Sequence, residues 1–124
     1  DPPSYGRGPG GEVWKLENCI YDLIEQCTQV LSDEPLFMAV NSYTTGLSPA
    51  VMEYILKTLL CPEKGGTTSC DEIGLPVSST GGVVPCGATA FWLADGVQTG
   101  EKKSSMNAPI VLKPLAQEAQ TGEE

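Results

Sequence analysis

Residues Gly11–Leu31, GEVWKLENCIYDLIEQCTQVL, set how the rest of the chain is read. Val13, Leu16, Ile20, Leu23, Cys27 and Val30 recur at alternating steps of three and four, with Ile24 and Leu31 beside them. That spacing lays one apolar stripe along an α-helix. Lys15, Asn18, Asp22, Glu25 and Gln29 fall on the opposite face, and Glu12 suits the positive end of the helix dipole. The pattern predicts a helix over Glu12–Leu31, the longest regular element of the chain, against which the others should pack. Trp14 and Tyr21 border the stripe, where an aromatic ring packs and its polar tip reaches water.

Beyond this helix, Ser32-Asp33-Glu34-Pro35 reads as a stop and a new start. Asp33 is placed to cap a short helix over Pro35–Asn41, with proline tolerated in its first turn. Leu36, Phe37, Met38 and Val40 are too crowded for one narrow face, so that piece should be buried. Asn41–Leu47 is a turn, and Ser48-Pro49 caps and opens a second helix over Pro49–Leu60. Its residues Val51, Met52, Ile55, Leu56, Leu59 and Leu60 form a wide apolar face, while Glu53 and Lys57 are spaced as an exposed pair. Pro62 should end it by keeping Cys61 out of the α region.

The cysteines Cys19, Cys27, Cys61, Cys70 and Cys86 lack C-x-x-C or His/Cys spacing, so zinc and thioredoxin-like sites have no support. Disulfides are the better expectation. In an antiparallel pair of helices, Cys19 lies 12 residues before Leu31 and Cys61 lies 13 after Ser48, at matching heights for a rise of ~1.5 Å per residue. The expected bridges are Cys19–Cys61 and Cys70–Cys86, with Cys27 a free thiol in the stripe.

Glu63–Pro85 is rich in turn residues, and Ile73–Val77 and Val83–Val84 are short and marked by proline. Gly87–Asp95 (GATAFWLAD) reads either as a short helix covering the second one or as a buried strand of the same length. The predicted fold is therefore mainly α: a small helical hairpin or bundle stapled by disulfides, with long irregular Gly/Pro-rich loops and extended termini. Residues 1–11 form an N-terminal arm, 12–95 the helical body and 96–124 a polar tail. Gly6–Gly11 formally matches G-x-G-x-x-G, but no strand of a βαβ unit precedes it, so a phosphate cradle is not expected.

With 16 acids against 7 bases the net charge is −9, and the acids are spread through both halves. Nucleic acid and anionic bilayers would be repelled. No apolar run approaches the ~20 residues that span a bilayer. The start at Asp1, without Met or a signal peptide, suggests a processed mature chain. Together with the cysteines this points to an oxidising compartment, either an organellar lumen such as the thylakoid lumen or the secreted milieu.

The chain has no histidine. That excludes Ser-His-Asp and Cys-His nucleophilic sites and histidine-held metals or haem. The acidic pairs Asp33-Glu34 and Asp71-Glu72 read as solvated surface, and no base flanks Cys70 or Cys86 to lower a thiol pKa. No enzyme activity, cofactor or metal is expected. The leading expectation is a non-catalytic accessory subunit that binds other protein subunits of a larger assembly. The lumenal side of a photosynthetic membrane complex is one concrete setting. Its partner-binding candidates are Tyr5, Arg7, Trp14 and Trp92, with Pro109, Ile110, Val111, Leu112 and Leu115 of the tail. A secreted carrier of a small apolar ligand, around Phe37, Met38 and Met52, and a secreted effector, toxin or inhibitor are the alternatives.

Overall fold

The chain builds a mixed α/β fold around an antiparallel-centred sheet, and not a stapled helical hairpin. The computed structural model describes residues 1–97 and the backbone of Ile110–Val111. The elements in order are β1 (Tyr5–Arg7), β2 (Val13–Lys15), α1 (Leu16–Thr28), β3 (Phe37–Ser42), α2 (Pro49–Lys64), β4 (Thr67–Pro76), β5 (Val83–Leu93) and β6 (Ile110–Val111). Strands β1 and β2 form a small antiparallel hairpin, and the main sheet runs β3-β5-β4-β6.

Strand β5 lies between β3 and β4 and is antiparallel to both, so β3 and β4 run parallel to each other. Parallel strands need a crossover, and α2 supplies it. At the far edge β6 pairs in parallel with β4 through Ile73↔Ile110 and Gly74↔Val111. Alternation along β5 explains why it is a strand. Ala88, Ala90 and Trp92 point to one face and are buried there, beside Val40 of β3. Leu16, Ile20 and Ile24 of α1 and Met52, Ile55, Leu56 and Leu60 of α2 complete that core.

The first helix is shorter than its pattern predicts. Val13–Lys15 is taken by the β2 strand, whose partner β1 lies across Gly6↔Trp14, and Val30 is exposed. The real stripe is Leu16, Ile20 and Ile24. The predicted Pro35–Asn41 helix is instead strand β3, because its crowded apolar side chains can alternate against β5. The turn-rich Glu63–Pro85 stretch holds all of β4 and the start of β5, whose mutual pairing outweighs weak local propensity. Helix α2 runs through Pro62 and stops at Gly65, whose φ of +65° suits glycine. Glu53 makes no exposed pair with Lys57. It turns to the sheet and accepts a hydrogen bond from the Thr68 hydroxyl at 3.0 Å.

All five cysteines are free thiols, so the Cys19–Cys61 and Cys70–Cys86 bridges do not form. The helices do not stand side by side as an isolated antiparallel pair, because α2 packs mainly on β4 and β5. Cys27 is a free thiol like the other four. Among the described residues no helix is long and apolar enough to cross a membrane.

Candidate functional site

The C-terminal end of β3 delivers the chain directly to the N-terminus of α2 through Tyr43–Ser48. Carboxyl ends of parallel strands are where α/β sheets place their ligands, because loops and helix N-termini gather there. A cleft of about 560 Å³ opens at this point. Its walls are the β3–α2 loop from Ser42 to Pro49, Glu72 of β4 and Pro85–Ala88 of β5.

Several local features hold this wall in shape. The Ser42 side chain is buried, and its Oγ accepts the Thr44 backbone N–H at 3.1 Å. The Thr44 hydroxyl donates to Ser4 Oγ at 2.7 Å, which ties the loop to the segment before β1. The Ser4 carbonyl in turn accepts the backbone N–H of Leu16 at 3.0 Å. Tyr43 lies against β5 at Gly87, where a Cβ would sit 2.7 Å from the tyrosine ring and 2.8 Å from the Ser42 carbonyl. Only glycine permits that approach. The strand pairing also slips between Ile73↔Gly87 and Gly74↔Pro85, which leaves Cys86 as the extra residue of a β-bulge. Bulges re-aim side chains beside sites, and here Cys86 lines the cleft. Ser48 starts α2 without a side-chain cap, so no side chain of its own closes off the first-turn N–H groups of the helix.

The arrangement can bind and orient a polar molecule. Hydroxyls line one side, a phenol stands at the mouth, and the Glu72 carboxylate can accept from an N–H or O–H. Among the described residues no cluster of His, Cys, Asp and Glu could hold a metal ion. Cys70 lies one strand position from Asp71 and faces α2. A hydrogen bond to Glu53 is the main reason its thiol rises from 9.0 to about 11, with burial and the charges of Glu53 and Asp71 adding to it. It is a poor nucleophile at neutral pH.

The residues singled out from sequence do not gather at the cleft, with the exception of Cys86. Trp92 is 0% exposed, and its indole N–H donates to the Gly65 carbonyl at 2.9 Å, so it belongs to the core and not to a partner surface. Trp14 is half-buried, with its indole donating to the Pro3 carbonyl at 2.7 Å. Tyr5 and Arg7 sit together on β1, where Arg7 Nε donates to the Tyr5 hydroxyl at 2.8 Å. Cys19, Cys27 and Cys61 are half-buried. Ile110 and Val111 form β6, while Pro109, Leu112 and Leu115 lie outside the described residues. Gly8–Gly11 turns the β1–β2 hairpin. The Gly8 and Gly11 N–H groups bond to Glu12 and Gly8 carbonyls, and the Gly10 N–H bonds to the Glu12 carboxylate.

Sequence reasoning missed Ser42 and Tyr43; it read Glu72 as solvated surface, and Glu72 is exposed at the edge of the cleft. The signal was present in NSYTTGLSP: once Phe37–Ser42 is a strand, this is a hydroxyl-rich strand-to-helix loop ending in Ser-Pro.

The chain is thus a mixed α/β fold with a cleft at the carboxyl end of β3. Among solved structures, the chain is similar to a SAM-dependent methyltransferase from Agrobacterium tumefaciens, at 24% identity and a TM-score of 0.63. The match covers 74% of this chain and 31% of that one, so the chain spans about a third of the methyltransferase's length. No family model matches the chain, and no curated protein matches it. The likeness shows a shared fold. It overturns the expectation of a non-catalytic accessory subunit, since the stapled hairpin behind that reading does not form. The carrier alternative leaned on a pocket between the helices of that hairpin; the effector alternative leaned on an exposed loop over Glu63–Pro85, most of which is strand β4 and the start of β5, with Trp92 buried. The expectation that the chain has no place in an enzyme is corrected on the same finding, because an enzyme uses this fold.

Proposed function

We propose that this chain is one portion of a SAM-dependent methyltransferase domain and supplies the wall that receives the methyl acceptor. The observation that carries the reading is the position of the cleft. It lies at the carboxyl end of β3, where the chain enters α2, beside Glu72 in the middle of β4, in a fold shared with a solved methyltransferase.

The described residues do not fit SAM itself. Nucleoside-binding sheets hold their ligand on a glycine-rich turn between a strand and a helix. Strand β2 passes into α1 with no intervening turn, and the β3–α2 loop contains Gly46 alone. The Gly6–Gly11 run spends its N–H groups within the β1–β2 hairpin. No step is therefore routed through SAM. This chain's own residues act on the acceptor: Tyr43 and the loop hydroxyls orient it, and Glu72 accepts the hydrogen bond of its N–H or O–H.

The test is transfer of a radiolabelled methyl group from SAM by the polypeptide in which this chain occurs, across a panel of small-molecule, peptide and RNA acceptors. Glu72→Gln and Tyr43→Ala should each lower kcat/KM tenfold or more, in line with the ~10²–10⁴ that a positioned acid or base contributes. Unchanged transfer in both variants, with unfolding midpoints intact, would overturn the reading.

A further inference from the structure

We propose that Trp14 is a positioning residue for the cleft: through Pro3 and Ser4 it holds the β3–α2 loop that carries Tyr43. The strut itself is read from hydrogen bonds, while its effect on transfer rests on the methyltransferase reading above.

Three hydrogen bonds from three elements converge on two successive residues ahead of β1. The indole N–H of Trp14, in β2, donates to the Pro3 carbonyl at 2.7 Å. The backbone N–H of Leu16, where α1 begins, donates to the Ser4 carbonyl at 3.0 Å. The Thr44 hydroxyl of the β3–α2 loop donates to Ser4 Oγ at 2.7 Å. The first two are braced from inside, since Leu16 is a buried core residue and the half-buried Trp14 packs against that core. The third reaches the loop. A path therefore runs from the core through Trp14 and Pro3 to Ser4, and on to Thr44, the chain neighbour of Tyr43.

The loop has few other ties. Among the described residues its remaining hydrogen bonds are local. The Thr44 N–H donates to Ser42 Oγ, the Leu47 N–H to the Thr44 carbonyl, and the Val51 N–H to the Ser48 carbonyl. Among those residues, only the Ser4 bond joins the loop to a segment outside β3 and α2. A hydroxyl pair near the surface competes with water and gains little by itself. It persists when its partner is already in place. Pro2 and Pro3 have φ fixed near about −65°, so pinning the Pro3 carbonyl leaves Ser4 little freedom to lose. Satisfying a half-buried indole N–H accounts for the first bond. It does not account for the engagement of both the carbonyl and the hydroxyl of the next residue.

Hydrogen exchange at the Leu47 amide, bonded within the loop at 3.3 Å, tests the strut in the 124-residue chain. Trp14→Phe keeps an aromatic ring and removes the N–H, and Ser4→Ala removes the hydroxyl. Each should speed Leu47 exchange about two- to tenfold, the range that one neutral hydrogen bond contributes, and leave the β4–β5 amides unchanged. The double variant should be no faster than the faster single one, because both act on one path. Ser4→Thr should restore the native rate. Native Leu47 exchange in either single variant would overturn the strut. Equal acceleration across the β4–β5 ladder would do the same, since it marks general loosening. Additive effects in the double variant would break the relay from Trp14 to Ser4. In the polypeptide in which this chain occurs, Trp14→Phe should lower kcat for methyl transfer about tenfold with the acceptor KM nearly unchanged, as misplacement of a bound group does. A native kcat beside a loosened loop would overturn the positioning role. A loosened loop in a polypeptide that transfers no methyl group would support the strut and sink the methyltransferase reading alone.

Discussion

The two faces of one sheet differ more than any two elements of the chain. On one, Ala88, Ala90 and Trp92 of β5 are sealed beneath α1 and α2. On the other, Thr89 and Ile73 are buried, Phe91 and Leu93 are half-buried, and Phe37 at the β3 edge is exposed. From Gly87 to Leu93, beyond the bulge at Cys86, the side chains alternate between the two faces, so the strand itself does not create the difference. It comes from what lies across each face. A buried side chain gains transfer free energy and dispersion contacts, whereas an exposed one of the same size gains little until something docks on it.

Substitutions on the two faces should therefore separate widely. Trp92→Ala is expected to cost about 3–5 kcal/mol, measured by urea unfolding, because it leaves a cavity between sheet and helices and removes the donor to the Gly65 carbonyl. A loss below about 1 kcal/mol would break the assignment of Trp92 to the core. Next is Gly87→Ala, which drives a methyl group into the Tyr43 ring and should cost about 1–3 kcal/mol. The same change should alter Tyr43 fluorescence at the cleft mouth, and an unperturbed signal would show that the ring does not lean on β5.

A smaller effect lies on the covered side of β4. Glu53→Gln removes the charged acceptor that holds up the Cys70 pKa, so iodoacetamide should modify Cys70 about tenfold faster at pH 8. The sign of the linkage follows from the raised value. The folded state keeps the thiol proton more tightly than the unfolded chain. The stability this contributes is fully present below pH 9.0 and is lost as pH rises toward about 11. Unfolding midpoints taken across that range should fall more in the native chain than in Glu53→Gln. The smallest effect belongs to the exposed β3 edge: Phe37→Ser should change the stability of the 124-residue chain by no more than about 0.5 kcal/mol. A large loss there would mean that the Phe37 ring is packed rather than exposed.

How much of this was legible beforehand depends on the kind of signal each segment carried. The helical spacing of Leu16, Ile20 and Ile24 was legible, and so was the Ser48-Pro49 start of α2. Each depends on residues within a turn or two of one another. Phe37–Ser42 was misread, since a short apolar run suits a buried helix and a buried strand equally well. Thr67–Pro76 was misread for the opposite reason. Its Gly, Pro and Asp favour turns locally, and only its long register with β5 makes it a strand. Those two errors hid the cleft, because Tyr43–Ser48 becomes a strand-to-helix loop only after β3 exists. The disulfide reading failed with them: matching heights on two helices mean nothing when both helices lie on a sheet.

By itself the amino-acid sequence determined the acidic charge, the absence of histidine chemistry, the buried stripe of the first helix and the start of the second. These follow from composition and from spacing along one short stretch. The tertiary structure alone decided that β5 lies between β3 and β4, that five cysteines stay unpaired, and that Ser42, Tyr43, Glu72 and Cys86 meet at one cleft. The pairing of β3 with β5 joins residues 46 (Ser42↔Ala88) to 56 (Phe37↔Leu93) apart in the chain, and pairing over that distance leaves almost no mark on local pattern.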